Sequence, residues 1–292
     1  MITIRSLVAM GIGMLIATTA GSALAIPFTP VLDEFWIVKN SAEIFRDSFN
    51  DGVLPPSGPD GATTYSVRGT DGLTSEVGGK LTLTPALGVP VVLTQAYPDT
   101  VIEGVRNLST NSENPNFLGQ ASAFSMHALY DMSNLPMITG QTFGIRASDI
   151  ASGLGNFGNN DFYLFVGMSP NTGNIVVSVR KFDFVADTNT LIGSVSIQSL
   201  LSGADQIELM FSKVAGSDQL SASWFLYDVN DMVLASNSFG AGLSIYDGEG
   251  YIRARFAAYD KTVPEPATLA LLGLGLAGIG VARRRRTSHS SN

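Results

Sequence analysis

His127 is the only histidine outside the C-terminal tail, where His289 lies, so any chemistry that needs an imidazole must centre on Phe124-Ser125-Met126-His127-Ala128-Leu129. A Ser-His-Asp triad would have to be built there. No Gly-x-Ser-x-Gly elbow accompanies it. A histidine among apolar residues reads more simply as a strand residue that holds one hydrogen bond. Glycoside hydrolysis needs two carboxyl groups about 5 to 10 Å apart across a cleft. Glu103 and Glu208 are isolated acids, and no E-x-D-x-x-E arrangement brings a second carboxylate onto the same strand. Glu208 lies in an alternating run, on the side expected to face solvent. The reading is therefore a protein without catalysis; a polysaccharide-acting enzyme is the alternative.

Calcium takes six to eight oxygen ligands and suits an acidic extracellular domain. Asp228-Val229-Asn230-Asp231 and Asn159-Asn160-Asp161 are the runs that could contribute, though neither follows an EF-hand loop and both are ordinary turn sequences. No cofactor is expected; calcium is the one candidate, and a calcium-dependent adhesin is a further alternative. The chain has no cysteine, which excludes disulfides, thiol catalysis and Cys-ligated metal. Glycan binding would draw on aromatics near loops, for which Trp36, Tyr65, Tyr97, Tyr246 and Tyr251 are placed, while Trp224 alternates with core positions. No phosphate-binding Walker loop or dinucleotide-type glycine spacing is present.

The elements that must position these residues are strands. Lys80 to Thr84, Gly88 to Leu93, Asp161 to Met168, Asn174 to Phe184, Gln206 to Lys213 and Leu220 to Tyr227 are short, rich in β-branched and aromatic residues, and often alternating. Turn sequences separate them, among them Asn171-Thr172-Gly173-Asn174 and Ala215-Gly216-Ser217-Asp218. Short helical candidates lie at Ile37 to Phe45, Ser148 to Ser152 and Ile197 to Leu201. Asn107 to Asn116 reads as a long surface loop. Many amphipathic strands in one chain predict an all-β fold, a two-sheet antiparallel β-sandwich. With no repeat and no linker, residues 26–262 are expected to form one domain.

Both ends carry targeting signals. Residues 1–25 combine Arg5, an apolar run from Leu7 to Ala17 and the small-residue site Ala23-Leu24-Ala25, which is a secretory signal cleaved after Ala25. At the other end, residues 263–292 open with Val263-Pro264-Glu265-Pro266, continue as an apolar helix over 267–282, and end in Arg283, Arg284, Arg285 and Arg286. At about 1.5 Å rise per residue this helix reaches only about 24 Å, short of a typical bilayer's roughly 30 Å hydrocarbon core, so it is expected to be a transmembrane helix that holds the chain in the membrane as a thin or transient anchor before processing. The four arginines stop translocation and hold that end in the cytoplasm. Pro264 and Pro266 keep the preceding segment extended, the form in which proteases read a chain. Removing Arg5, Glu265 and the Arg cluster leaves 12 basic and 24 acidic residues, a net charge of −12 that repels nucleic acid and anionic lipid.

The Val263 to Pro266 segment, the Gly-rich apolar helix and the Arg cluster together resemble the PEP-CTERM sorting signal. That resemblance implies export in a Gram-negative bacterium, processing near Pro264-Glu265-Pro266 by an exosortase-type membrane protease, and delivery to the cell surface or exopolysaccharide matrix. The body resembles the concanavalin A-like jelly roll. Asp47-Ser48-Phe49-Asn50-Asp51-Gly52 is similar to the opening strand of such domains, with the Phe inward. Gln206 to Lys213 followed by Leu220 to Trp224 is similar to their central hairpin. The two resemblances imply an envelope or matrix protein with a structural or carbohydrate-associated role, and with extracellular polysaccharide as its candidate partner.

Overall fold

The computed structural model describes residues 28–50, 65–68, 73–85, 91–95, 118–136, 138–151, 160–183, 186, 188–244 and 250–260. The secretory signal, the Asn107 to Asn116 segment, Glu103 and the whole sorting segment lie outside them. Among the described residues the strands are β1 (Val31–Lys39), β2 (Ala42–Asp47), β3 (Tyr65–Arg68), β4 (Leu73–Glu76), β5 (Leu81–Thr84), β6 (Val91–Gln95), β7 (Phe124–Asp131), β8 (Gln141–Ala151), β9 (Asn160–Met168), β10 (Ile175–Asp183), β11 (Thr188–Ser196), β12 (Gln206–Lys213), β13 (Gln219–Tyr227), β14 (Val233–Ser244) and β15 (Gly250–Asp260).

All the described pairings are antiparallel, and they form two sheets. One runs β14-β13-β12-β7-β1-β5-β4, with β2 added beside β1; the other runs β11-β10-β9-β8-β15-β6-β3. The expected two-sheet sandwich is the fold. Period-two patterning explains it: in β12, Ile207, Leu209 and Phe211 are fully buried while Gln206, Glu208 and Met210 turn to the other face. Burying each such apolar side chain is worth about 1.5 to 3 kcal/mol. Phe35 of the first sheet meets Phe256 of the second edge to face at 5.1 Å. Tyr130 crosses the same interior, its ring 4.6 Å from Phe143 and its hydroxyl donating to the Gly144 carbonyl at 2.9 Å.

Two expected helices are strands instead. Over Ile37 to Phe45 the chain runs through β1, turns at Asn40 and Ser41, and returns as β2. Both turn residues take positive φ, 49° and 66°, which makes a two-residue hairpin turn of the primed kind whose twist matches the flanking strands. Ser148 to Ala151 continues β8, paired with β15 along its length, so the ladder overrides the local helical preference. The third helical expectation is met by a 3-10 helix over Gln198–Gly203. Phe49 is inward as expected, at 1% exposure, but β2 ends at Asp47 and Phe49 sits in a bend at φ 50°, so no strand opens over the described part of this segment, residues 47–50. The hairpin of β12 and β13 forms in register from Gln206 opposite Tyr227 to Ser212 opposite Ser221.

Candidate functional site

The outer face of the first sheet gathers the residues that could do chemistry. On β7, Ser125 and His127 are two residues apart and therefore share a face. Leu129 of β7 stands opposite Glu208 of β12, which puts Glu208 on the diagonal from His127. His127 Nδ1 lies 2.7 Å from Glu208 Oε1, and His127 Nε2 lies 2.7 Å from Ser125 Oγ. The Tyr227 hydroxyl of β13 donates to Glu208 Oε2 at 2.6 Å. The four side chains form one hydrogen-bonded chain across three neighbouring strands.

This arrangement corrects two expectations. Glu208 does not face open solvent: its side chain is 12% exposed and both its oxygens are engaged. His127 holds two side-chain partners where one was expected. Burial pushes the Glu208 carboxyl up, but the hydrogen bonds from His127 and Tyr227 outweigh it and hold the group below the usual glutamate range. Burial and the Glu208 carboxylate together raise the Tyr227 phenol, which keeps it a donor. An ionised carboxylate only accepts, so Nδ1 carries the proton toward Glu208; in the neutral imidazole Nε2 is then free to accept from Ser125.

Trp36 of β1 stands between two cross-strand neighbours, His127 on β7 and Arg46 on β2. Its ring stacks on the imidazole at 4.6 Å and 10°, and the Arg46 guanidinium lies 4.9 Å from its centroid. Arg46 is fixed in turn by ion pairs with Glu34 and with Glu43, the latter at 2.8 Å. Trp36 therefore packs within the sheet face and is a poor platform for a sugar ring. Toward β14 the same face changes character: half-buried Phe225 and Met210 stand among Ser212, Ser221, Ser236 and Ser238.

In chemical terms, Ser125, His127 and Glu208 have the nitrogen assignments of a nucleophile, base and orienting acid. A covalent acyl mechanism also needs donors for an oxyanion. In mid-sheet the N–H groups of β7 are committed to the ladders with β1 and β12. The sequence placed His127 and Glu208 separately as candidates; Ser125, Tyr227 and Arg46 were missed as members of the site. Ser125 was legible in principle from its i, i+2 spacing to His127. Tyr227 and Arg46 need the strand register.

The remaining candidates are used otherwise. The Asp228 Oδ1 accepts from the N–H groups of Asn230 and Met232, both at 2.9 Å, and so closes its own turn. Asp161 is fully buried and ion-paired with Arg146, whose Nη1 donates to the Tyr259 hydroxyl at 2.6 Å. Burial works against the Arg146 charge, yet the Asp161 carboxylate raises its pKa well above the ordinary value. Among the described residues no three His, Asp or Glu side chains converge as a metal site would require. Trp224 is inside, at 2% exposure, as its alternation indicates. Tyr97 and Tyr246 lie outside the described residues, as do the side chains of Tyr65 and Tyr251.

Comparison with known proteins bears on the C-terminus. Residues 262–286 match the PEP-CTERM protein-sorting motif. The segment singled out on its prolines, glycines and arginines is this motif, which marks proteins exported and sorted to the cell envelope or surface and implies processing by an exosortase, a membrane protein. No curated protein matches the chain. Among solved structures, the CBM2 module of an evolved Dit protein of Lactobacillus casei BL23 phage J-1 is similar at 13% identity and TM-score 0.27, over 78% of this chain and 95% of that one. A protein of unknown function from Shewanella oneidensis MR-1 is similar at 11% identity and TM-score 0.25, over 86% and 95%. At these scores neither likeness bears on the fold or role of this chain.

Proposed function

We propose that this chain is an envelope β-sandwich of a Gram-negative bacterium, cut near Val263 to Pro266 by an exosortase-type protease and delivered to the surface or exopolysaccharide matrix. There it acts without catalysis, as a structural or carbohydrate-associated component. The observation that carries this reading is the sorting motif at residues 262–286. Polysaccharide as partner is supported by the β12 to β14 part of the first sheet's outer face. Phe225 offers an apolar surface for a sugar ring, and the serine hydroxyls around it can both donate and accept hydrogen bonds. The net charge of −12 on the exported part suits a neutral glycan better than an acidic one.

The test is affinity electrophoresis of the exported protein through gels containing the producing cell's own exopolysaccharide. Retardation that weakens in Phe225→Ala supports the reading; wild-type mobility unchanged by the polysaccharide removes the glycan partner. Ester hydrolysis is the second reading, favoured by the Ser125, His127 and Glu208 distances. Covalent capture of Ser125 by a serine-directed phosphonate, abolished in Ser125→Ala, would establish it over the non-catalytic one.

A further inference from the structure

The two sides of the sandwich end in different kinds of strand. At one side are β3 and β4, four residues each, carrying Arg68 and Glu76. Shortness and charge are means by which natural sheets keep an open edge from recruiting another strand. At the other side are β11 and β14, nine and twelve residues long. Neither contains a charged residue or a proline.

These two long edges lie together. A Cβ on Gly193 of β11 would fall 2.6 Å from the Phe239 ring of β14, so the ring packs directly on the bare glycine backbone and bridges the two edges. The result is a double-layered rim. Most of its described side chains are exposed, including Leu191 at 50%, Ile192 at 43%, Val233 at 54% and Leu234 at 43%. A bulge leaves Ile192 out of register with β10. Among the described residues β11 pairs only with β10 and β14 only with β13. The Ser238 N–H donates to the Asn237 side-chain carbonyl at 2.8 Å; along the rest of the rim the outward N–H and C=O groups of both strands face no described strand.

We propose that this rim is a self-association surface whose occupant is the same rim of a second copy, β11 adding antiparallel to β11 and β14 to β14 about a two-fold axis perpendicular to the sheets. Charge selects the occupant. Two exported bodies of net −12 repel one another over most of their surfaces, and the rim is where that repulsion has no local source. A strongly charged partner would find no counter-charge on either strand. A two-fold operation makes the patch complementary to itself and continues both sheets without a break. At about 3.4 Å per residue a nine-residue strand spans roughly 30 Å, and two edges about 10 Å apart with their side chains make a band of roughly 20 Å. The footprint is about 600 Å² per copy, about 1,200 Å² in all, at the lower end of specific interfaces. This inference does not depend on the glycan reading.

Sedimentation velocity of the exported protein across micromolar concentrations tests it, with Ile192→Lys combined with Leu234→Lys as the variant. Both positions are exposed, so the variant is expected to melt as the wild type does. Expected is a concentration-dependent dimer in the wild type, weakened about tenfold or more by facing lysines. Backbone amides of β11 should exchange more slowly as wild-type concentration rises, and at one rate in the variant. A wild type that stays monomeric overturns the proposal, even if another envelope component protects β11. So does a dimer that the two lysines leave intact.

Discussion

Glu208 is where buried charge and hydrogen bonding meet most closely. Its carboxyl is held below the usual range, so its contribution to stability is full above the unfolded glutamate pKa of about 4.3 and fades as pH falls through the lower folded value. Glu208→Gln is expected to cost about 1 to 3 kcal/mol at neutral pH. The deficit should shrink in acid, where the wild-type carboxyl is itself protonated; chemical denaturation at several pH values measures it. Trp224 makes the opposite case. Its indole N–H is buried with no acceptor among the described residues, so the ring is retained for volume. Trp224→Phe removes that stranded donor and is expected to change stability by less than about 1.5 kcal/mol, against about 3 to 5 for Trp224→Ala. Thermal melts of the two variants separate these outcomes. The core position of Trp224 was legible from alternation alone. The surroundings of Glu208 were not, because His127 is 81 residues away in sequence and the two meet only through strand register.

Strands whose own residues alternate were readable from sequence. β12 falls on Gln206–Lys213 as expected and β13 differs by one residue at its start, because each carries a full set of inward apolar side chains. Where local pattern and pairing disagree, pairing wins. Ile37 to Phe45 has apolar residues spaced for a helix, yet the left-handed Asn40 and Ser41 split it into a hairpin. A serine there carries a Cβ into a region that favours glycine. Ser41→Gly is therefore expected to stabilise the protein, by up to about 1 kcal/mol, with the β1 to β2 register intact. Equilibrium unfolding checks the sign. A loss of stability would mean that the Ser41 side chain contributes more than its backbone strain costs.

The whole molecule combines a sandwich, which names no activity, with a C-terminal motif, which names a destination. That destination was the most legible part of the chain because it is written in contiguous residues. The site on the first sheet is assembled from β1, β2, β7, β12 and β13, and no contiguous stretch announces it. The central claim is accordingly about geography and processing. Intact-mass analysis of the protein recovered from the surface fraction of the producing cell tests it most directly. The account predicts a chain that begins near Ile26 and ends close to Pro264-Glu265-Pro266, without Arg283 to Arg286. A chain found in the soluble cell interior, still carrying Met1 to Ala25 and the four terminal arginines, would contradict it.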